Sequence, residues 1–83
     1  MPPGARPVKL TFPAVEPGWC SIRADGVLVG TAMADFYLRW TARLWVVAEQ
    51  RDTGKAGIVE RDSLRDLRAE LRRRVEEEGP WWA

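Results

Sequence analysis

The sequence predicts an α+β fold, in which a three-stranded antiparallel β-meander packs against one C-terminal α-helix. Residues 36–48 are rich in aromatic and β-branched side chains and alternate with a period of two, which is typical of a half-buried strand. Residues 62–78 instead carry apolar side chains at helical spacing, which form one narrow stripe. The stripe consists of Leu64, Leu67, Leu71 and Val75. Its expected partners on the sheet are Ile22, Val29, Trp40 and Leu44.

Two shorter strands are predicted before the long one, which we expect to begin at Phe36. Residues 19–24 and 27–33 are separated by Asp25-Gly26, a dipeptide typical of the type I′ turn in a tight β-hairpin. Gly30, within the second of these strands, indicates a bulge or the close approach of another group. Residues 8–12 alternate as well, so the sheet has room for a short extra edge strand, which the following prolines keep short.

Signals at both ends delimit the helix. Ser63 followed by Asp66 resembles a capping box, with Asp in place of the usual Glu or Gln. Gly79-Pro80 is a typical C-terminal stop, because glycine accepts the left-handed conformation and proline cannot continue the helix. We therefore expect the helix to extend from about residue 62 to residue 78.

Length and composition limit the functions that the chain can carry. Its 83 residues are expected to form one domain over 8–78, between a flexible proline-rich arm at 1–7 and a Trp-containing tail at 79–83. The absence of histidine removes the usual general base and most zinc sites, and the single cysteine excludes an internal disulfide. We predict no enzymatic activity, no metal and no cofactor. Because no apolar run is long enough to span a bilayer, we expect a cytoplasmic protein with no membrane contact.

One face of the predicted sheet interleaves arginine and tryptophan side chains. Such a face can anchor a protein interface, since Trp and Arg are frequent hot-spot residues. It can also contact the phosphates and bases of a nucleic acid. A third interpretation is structural, with the N-terminal segment or the C-terminal tryptophans covering the ring of Trp45. The candidate binding residues on this face are Trp19, Arg23, Arg39, Thr41, Arg43 and Trp45.

Two further sets of residues are candidates for contacts. Trp81 and Trp82 are unusual in a tail, and burying them in the same molecule or in a second copy would remove exposed apolar surface. The tail is therefore a possible homodimer interface. Arginines also recur along the helical segment, where they could contact phosphates or could be a solvated face paired with nearby glutamates. These arginines are Arg61, Arg65, Arg68 and Arg72.

The segment RWTARLWVVAEQRDTGKAGIVERDSLRDLRAEL, residues 39–71, combines an alternating strand, a charged turn containing glycine, and a helix. In this order of elements it resembles the arm-type DNA-binding domains of tyrosine recombinases, and it is similar to the plant ethylene-response-factor domain. The resemblance implies a sheet that lies in the DNA major groove. It further implies that Arg43 and Trp45 face the DNA, with Arg39, Thr41 and Lys55 beside them, Lys55 as a phosphate contact.

These observations support two functions from different classes. The first is a small non-enzymatic protein-interaction module with an accessory or regulatory role and no small-molecule substrate. It would act through the Arg/Trp face or the Trp tail, either as a homodimer or as an inhibitor of a larger protein. The alternative is a DNA-binding module of a phage or mobile element. The net charge of only +1 favours the first, because non-specific DNA affinity comes from neutralised phosphates. The order of the strands favours the second.

Overall fold

The computed structural model describes residues 8–46, 51–52 and 57–82, with the backbone alone at 51–52. The chain folds into an antiparallel sheet with a C-terminal helix. The α+β class is therefore confirmed. The predicted flexible arm at residues 1–7 and Lys55 lie outside the described residues. The elements are β1 Leu10–Thr11, β2 Ala14–Glu16, β3 Trp19–Ala24, β4 Val27–Ala34, β5 Trp40–Val46, β6 Arg51–Asp52, β7 Ile58–Arg61 and α1 Leu64–Glu78.

The predicted meander forms the centre of a wider sheet. Strands β3, β4 and β5 are consecutive antiparallel neighbours. Outside them, β1 and β2 both pair with β3, while β6 and β7 both pair with β5. The prediction of three strands was therefore too low, even with the extra edge strand. β1 corresponds to the expected edge strand, whereas β2, β6 and β7 have two to four residues each, too few for an alternating pattern to be recognised, and their partners impose the pairing.

The hairpin between β4 and β5 also differs from the prediction. The long strand begins at Trp40, and residues 36–38 form the turn that precedes it. The Asp35 carboxylate accepts hydrogen bonds from the backbone N–H of Tyr37 at 2.8 Å and of Arg39 at 2.9 Å. Leu38 adopts a φ of +64°, which no strand allows. Local side-chain capping by Asp35 therefore overrides the β propensity of the aromatic residues.

The hairpin between β3 and β4 agrees with the prediction. Asp25 and Gly26 have φ angles of +49° and +87°, as the type I′ turn requires. The register shifts between Ile22 and Arg23, opposite Gly30, so that a bulge lies in this hairpin. A Cβ atom on Gly30 would lie 2.5 Å from the carbonyl oxygen of Arg43. Both features that Gly30 indicated are therefore present.

The helix has the predicted caps. The Ser63 Oγ accepts a hydrogen bond from the Asp66 backbone N–H at 3.1 Å. At the other end, Gly79 has a φ of +85° and donates its N–H to the Val75 carbonyl at 3.1 Å. Within the described residues, no helix combines the length and the apolar character needed to cross a membrane.

The core lies between the helix and one face of the sheet. Leu67 and Leu71 of α1 are fully buried there. They belong to one cluster with residues of the three central strands, among which Ile22, Val29 and Leu44 are also fully buried. Trp40 packs against this cluster and is partly buried. The predicted partners of the leucine stripe are confirmed, and the helix leaves the opposite face of the sheet uncovered.

Candidate functional site

The face of the sheet opposite the helix, here called the outer face, is defined by strand register. Its side chains alternate with the buried residues of β3 and β5, so they project away from the core. One row across the sheet pairs Trp19 with Met33, Met33 with Thr41, and Thr41 with Glu60. The next row pairs Ser21, Thr31, Arg43 and Ile58 in the same way. Arg23, Leu28 and Trp45 complete the face.

Apolar side chains are exposed on this face. Met33 is 57% exposed and Ile58 is 44% exposed. No helix or strand in the part of the chain that the structure describes lies over them. Trp45 is partly buried, and the C-terminal tryptophans pack against the core cluster, which lies on the opposite side of the sheet. In one interpretation of the sequence, the N-terminal segment covers the ring of Trp45. Residues 1–7 lie outside the described residues.

Arginines on and beside the outer face already have partners within the chain. Arg39 lies in the β4–β5 hairpin, at the end of this face, and forms ion pairs with Glu60 at 3.7 Å and with Asp62 at 3.4 Å. Arg23 donates a hydrogen bond to the Gly26 carbonyl at 2.9 Å. Because Glu60 is itself on the outer face, the field there is mixed in sign. The structure thus brings the six predicted face residues together, but with an acid among them.

The arginines predicted as phosphate contacts lie elsewhere. Arg61 was predicted to be part of the helical stripe, but it belongs to β7 and pairs with Trp40 on the helix side of the sheet. Arg65 is exposed on α1, Arg68 is partly buried, and the Arg72 guanidinium lies 5.4 Å from the centre of the Phe12 ring. Since the helix covers the other face of the sheet, these cations and the outer face cannot contact one flat surface together.

Glu70 of the helix forms an ion pair with the sheet. Its carboxylate pairs with Arg61 of β7 at 3.3 Å and also with Arg73, while Arg74 lies 3.9 Å away. Hydrogen bonds from Arg73 lower the pKa of the Glu70 carboxyl; burial opposes this effect, and the charges of Arg73 and Arg61 add to it. Arg73 also pairs with Glu77, four residues further along the helix.

The lowered pKa of Glu70 predicts a stability contribution that acid removes. The folded state holds the charged carboxylate better than the unfolded state does, so the contribution is complete above the ordinary glutamate pKa of about 4.3 and is lost as the pH falls through the folded pKa. We expect Glu70→Gln to lower the unfolding free energy at neutral pH and to differ progressively less from wild type below that value. Urea unfolding at a series of pH values measures this. Glu76→Gln, at an exposed position of the same helix, is the control, and an equal effect there would contradict the assignment.

The C-terminal tail folds back on its own domain. The Trp81 Nε1–H donates a hydrogen bond to the Val29 carbonyl at 3.0 Å, next to the bulge. Trp82 stacks edge to face against Trp81, with ring centres 4.8 Å apart, and both pack against the core cluster. Of the two ways to bury these rings that the sequence suggested, the structure shows the intramolecular one.

Sequence reasoning expected the turn between β4 and β5 at Ala34-Asp35, but the turn is formed by Phe36–Leu38, here called the hairpin tip. The three side chains are 92%, 82% and 72% exposed in order along the chain. The signal that could have revealed it is Asp35, whose side chain favours a turn, directly before three consecutive apolar residues. Strict alternation of polar and apolar residues begins only at Arg39.

An apolar cleft of about 420 Å³ lies beside the hairpin tip. Its walls are formed by Phe12, Trp40 and Leu64 together with the segment 14–18, and Cys20 contributes to its lining. Burial raises the pKa of the Cys20 thiol, with Arg68 opposing the effect, so the thiol does not have the depressed pKa of an activated nucleophile.

Comparison of this chain with protein-family models, with curated proteins and with solved structures finds no match.

Proposed function

We propose that this chain is a small non-enzymatic protein-interaction module that binds its partner with the outer face. One observation carries the proposal. The outer face exposes Met33 and Ile58 and also carries two partly buried tryptophans, Trp19 and Trp45, on a sheet that no described element covers. Aromatic residues, Met and Arg, the types enriched in protein interfaces, all occur on this face.

The charges around this face also favour a protein over DNA. A DNA-binding face must present cations to phosphates, and affinity follows the number of phosphates neutralised. Here Arg39 is engaged by Glu60 and Asp62, and the Glu60 carboxylate would meet the phosphate backbone directly. The arginines of the helix lie on the other side of the sheet. A protein partner instead needs only complementary charges at the rim.

The proposal is tested with a protein captured by the immobilised wild-type domain, with its affinity then measured against single variants. Met33→Glu replaces the most exposed apolar side chain of the face with a charge and is expected to weaken binding roughly 30-fold or more, the effect of losing one hot-spot residue. Val27→Glu is the matched control, because Val27 is in the same strand, is 51% exposed and lies on the helix side by register. An equal loss of affinity in the two variants would contradict the proposal that the partner binds the outer face.

A titration of tryptophan fluorescence with a mixed-sequence DNA duplex tests the alternative. Trp19 and Trp45 would report binding at the outer face. The proposal expects no saturable change at low or at near-physiological salt. Saturable quenching that collapses with added salt, and that Arg43→Ala weakens, would instead establish DNA as the partner and overturn the proposal.

A further inference from the structure

Strand β7, Ile58–Arg61, has one side on which none of the other described strands pairs with it, here called the open edge. Its other side pairs with β5. The strand contains no proline, so each of its four residues carries a main-chain N–H. An unpaired edge of this kind can accept a strand from another molecule. The main-chain groups on the open edge therefore decide whether the sheet can extend.

The hydrogen-bond ladder shows in which direction the main-chain groups of β5 point. Ala34 of β4 lies opposite Trp40 of β5, but the Ala34 N–H donates to the Gly18 carbonyl at 2.8 Å, on the side of β4 away from β5. Opposite residues of an antiparallel pair either bond to each other or both face away. Trp40 therefore directs its N–H and C=O toward β7, and Ala42, two residues further along the strand, does the same.

The same alternation assigns the main-chain groups of β7. Arg61 and Val59 are the register partners of these two β5 residues, so they bond with β5. Ile58 and Glu60 alternate with them, and their N–H and C=O groups point to the open edge. A strand added there would have to form its hydrogen bonds with these two residues.

The Arg61 side chain already occupies one of these groups. Its Nη1 donates a hydrogen bond to the Glu60 carbonyl, and its Nη2 forms an ion pair with the Glu70 carboxylate of the helix at 3.3 Å. The Glu70 side chain is only 11% exposed and also pairs with Arg73. The planar guanidinium is thus held from two sides, by the helix and by the main chain of the open edge.

We propose that Arg61 guards the open edge, and that its guanidinium prevents β7 of a second copy from pairing there. Two β7 strands can meet antiparallel about a two-fold axis, so a second copy offers the same edge in return. To pair, each copy would have to remove Arg61 from the Glu60 carbonyl, which is a hydrogen bond lost at each end. This role differs from the phosphate contact that the sequence predicted for Arg61. It concerns the edge of the sheet and does not rest on the function proposed for the outer face.

Sedimentation equilibrium of Arg61→Ala and of the wild type, from about 1 µM to 1 mM, tests the proposal. We expect the variant to self-associate roughly ten-fold more tightly or more, because the Glu60 carbonyl is freed in both copies. Arg65→Ala is the matched control, since it removes the same charge from an exposed position at the start of the helix, and it should behave like the wild type. If Arg61→Ala associates no more than Arg65→Ala does, the proposal is overturned.

Ile58→Pro, added to Arg61→Ala, separates strand pairing from association of a destabilised chain. The Ile58 N–H faces the open edge, so proline removes a donor that an added strand needs without removing a hydrogen bond to β5. It does not restore the ion pair with Glu70. We therefore expect the double variant to associate as weakly as the wild type. Association as strong as that of Arg61→Ala would show that the copies meet elsewhere.

Amide hydrogen exchange of Arg61→Ala, followed by NMR, gives a second measurement that does not depend on the folding of the proline variant. Pairing at the open edge should slow exchange of the Ile58 and Glu60 N–H groups at the high end of the concentration range relative to the low end. The Val59 N–H, which bonds with β5, is the internal reference. Exchange rates at Ile58 and Glu60 that do not change with concentration would contradict the proposal.

Discussion

Gly30→Ala is expected to destabilise the domain by about 2–4 kcal/mol, although it adds a single methyl group. The new Cβ would lie 2.5 Å from the Arg43 carbonyl oxygen and 3.4 Å from a terminal carbon of Ile22. The first of these atoms is backbone in β5, directly beside the Leu44 that pairs with Gly30. It cannot move without disturbing the central ladder. Domains of this size are stable by only about 5–15 kcal/mol, so the loss is a large share of the total.

Urea unfolding followed by circular dichroism measures this effect as a lower midpoint at an unchanged slope. The control is Gly26→Asn. Nothing lies within 4 Å of a Cβ at that position, and asparagine tolerates its φ of +87° better than other residues do. We expect a change of less than about 1 kcal/mol there. If Gly30→Ala lowers the free energy of unfolding no more than Gly26→Asn does, then β4 and β5 are not in close backbone contact.

Leu71→Ala is expected to lower the free energy of unfolding by about 2–5 kcal/mol. Leu71 is fully buried in the cluster that joins the helix to the central strands, so truncation removes apolar contacts and leaves a cavity in a small core. Leu38→Ala is a matched control, since it makes the same chemical change at a side chain that is 72% exposed. Thermal and urea unfolding should place the control within about 0.5 kcal/mol of wild type. Similar losses in the two variants would contradict the helix packing.

The centre of the fold could be predicted because each of its parts has a local signal. The strand Trp19–Ala24 has its predicted bounds, the Asp25-Gly26 turn specifies its own φ angles, and the leucine spacing predicts the helix. Of the outer strands, only β1 had such a signal, since it lies within the alternating residues 8–12. Ala14–Glu16 and Arg51–Asp52 have three and two residues, and only long-range pairing to β3 and β5 makes them strands. Such pairing is not encoded in a local period.

The candidate site could be predicted in part, for the same reason. Alternation along β3 and β5 correctly places Trp19, Arg23, Thr41, Arg43 and Trp45 on one face. Alternation could not show that Met33 and Ile58 join them, because that depends on strand register. It also misassigned Phe36–Leu38, since their β propensity is high and the capping by Asp35 depends on side-chain geometry. The ion pairs of Arg39 with Glu60 and Asp62 likewise depend on the position of β7.

The edge of the sheet beside β3 limits how copies of this domain can aggregate. That edge is formed by two short strands, β1 and β2, with Pro13 between them, Pro17 after them and a register irregularity within β2. Proline has no N–H to donate, and a broken edge gives a foreign strand no regular row of main-chain groups to extend. Fibre growth by strand addition is thereby discouraged along this edge. This edge can therefore remain uncovered without extending the sheet into a second copy.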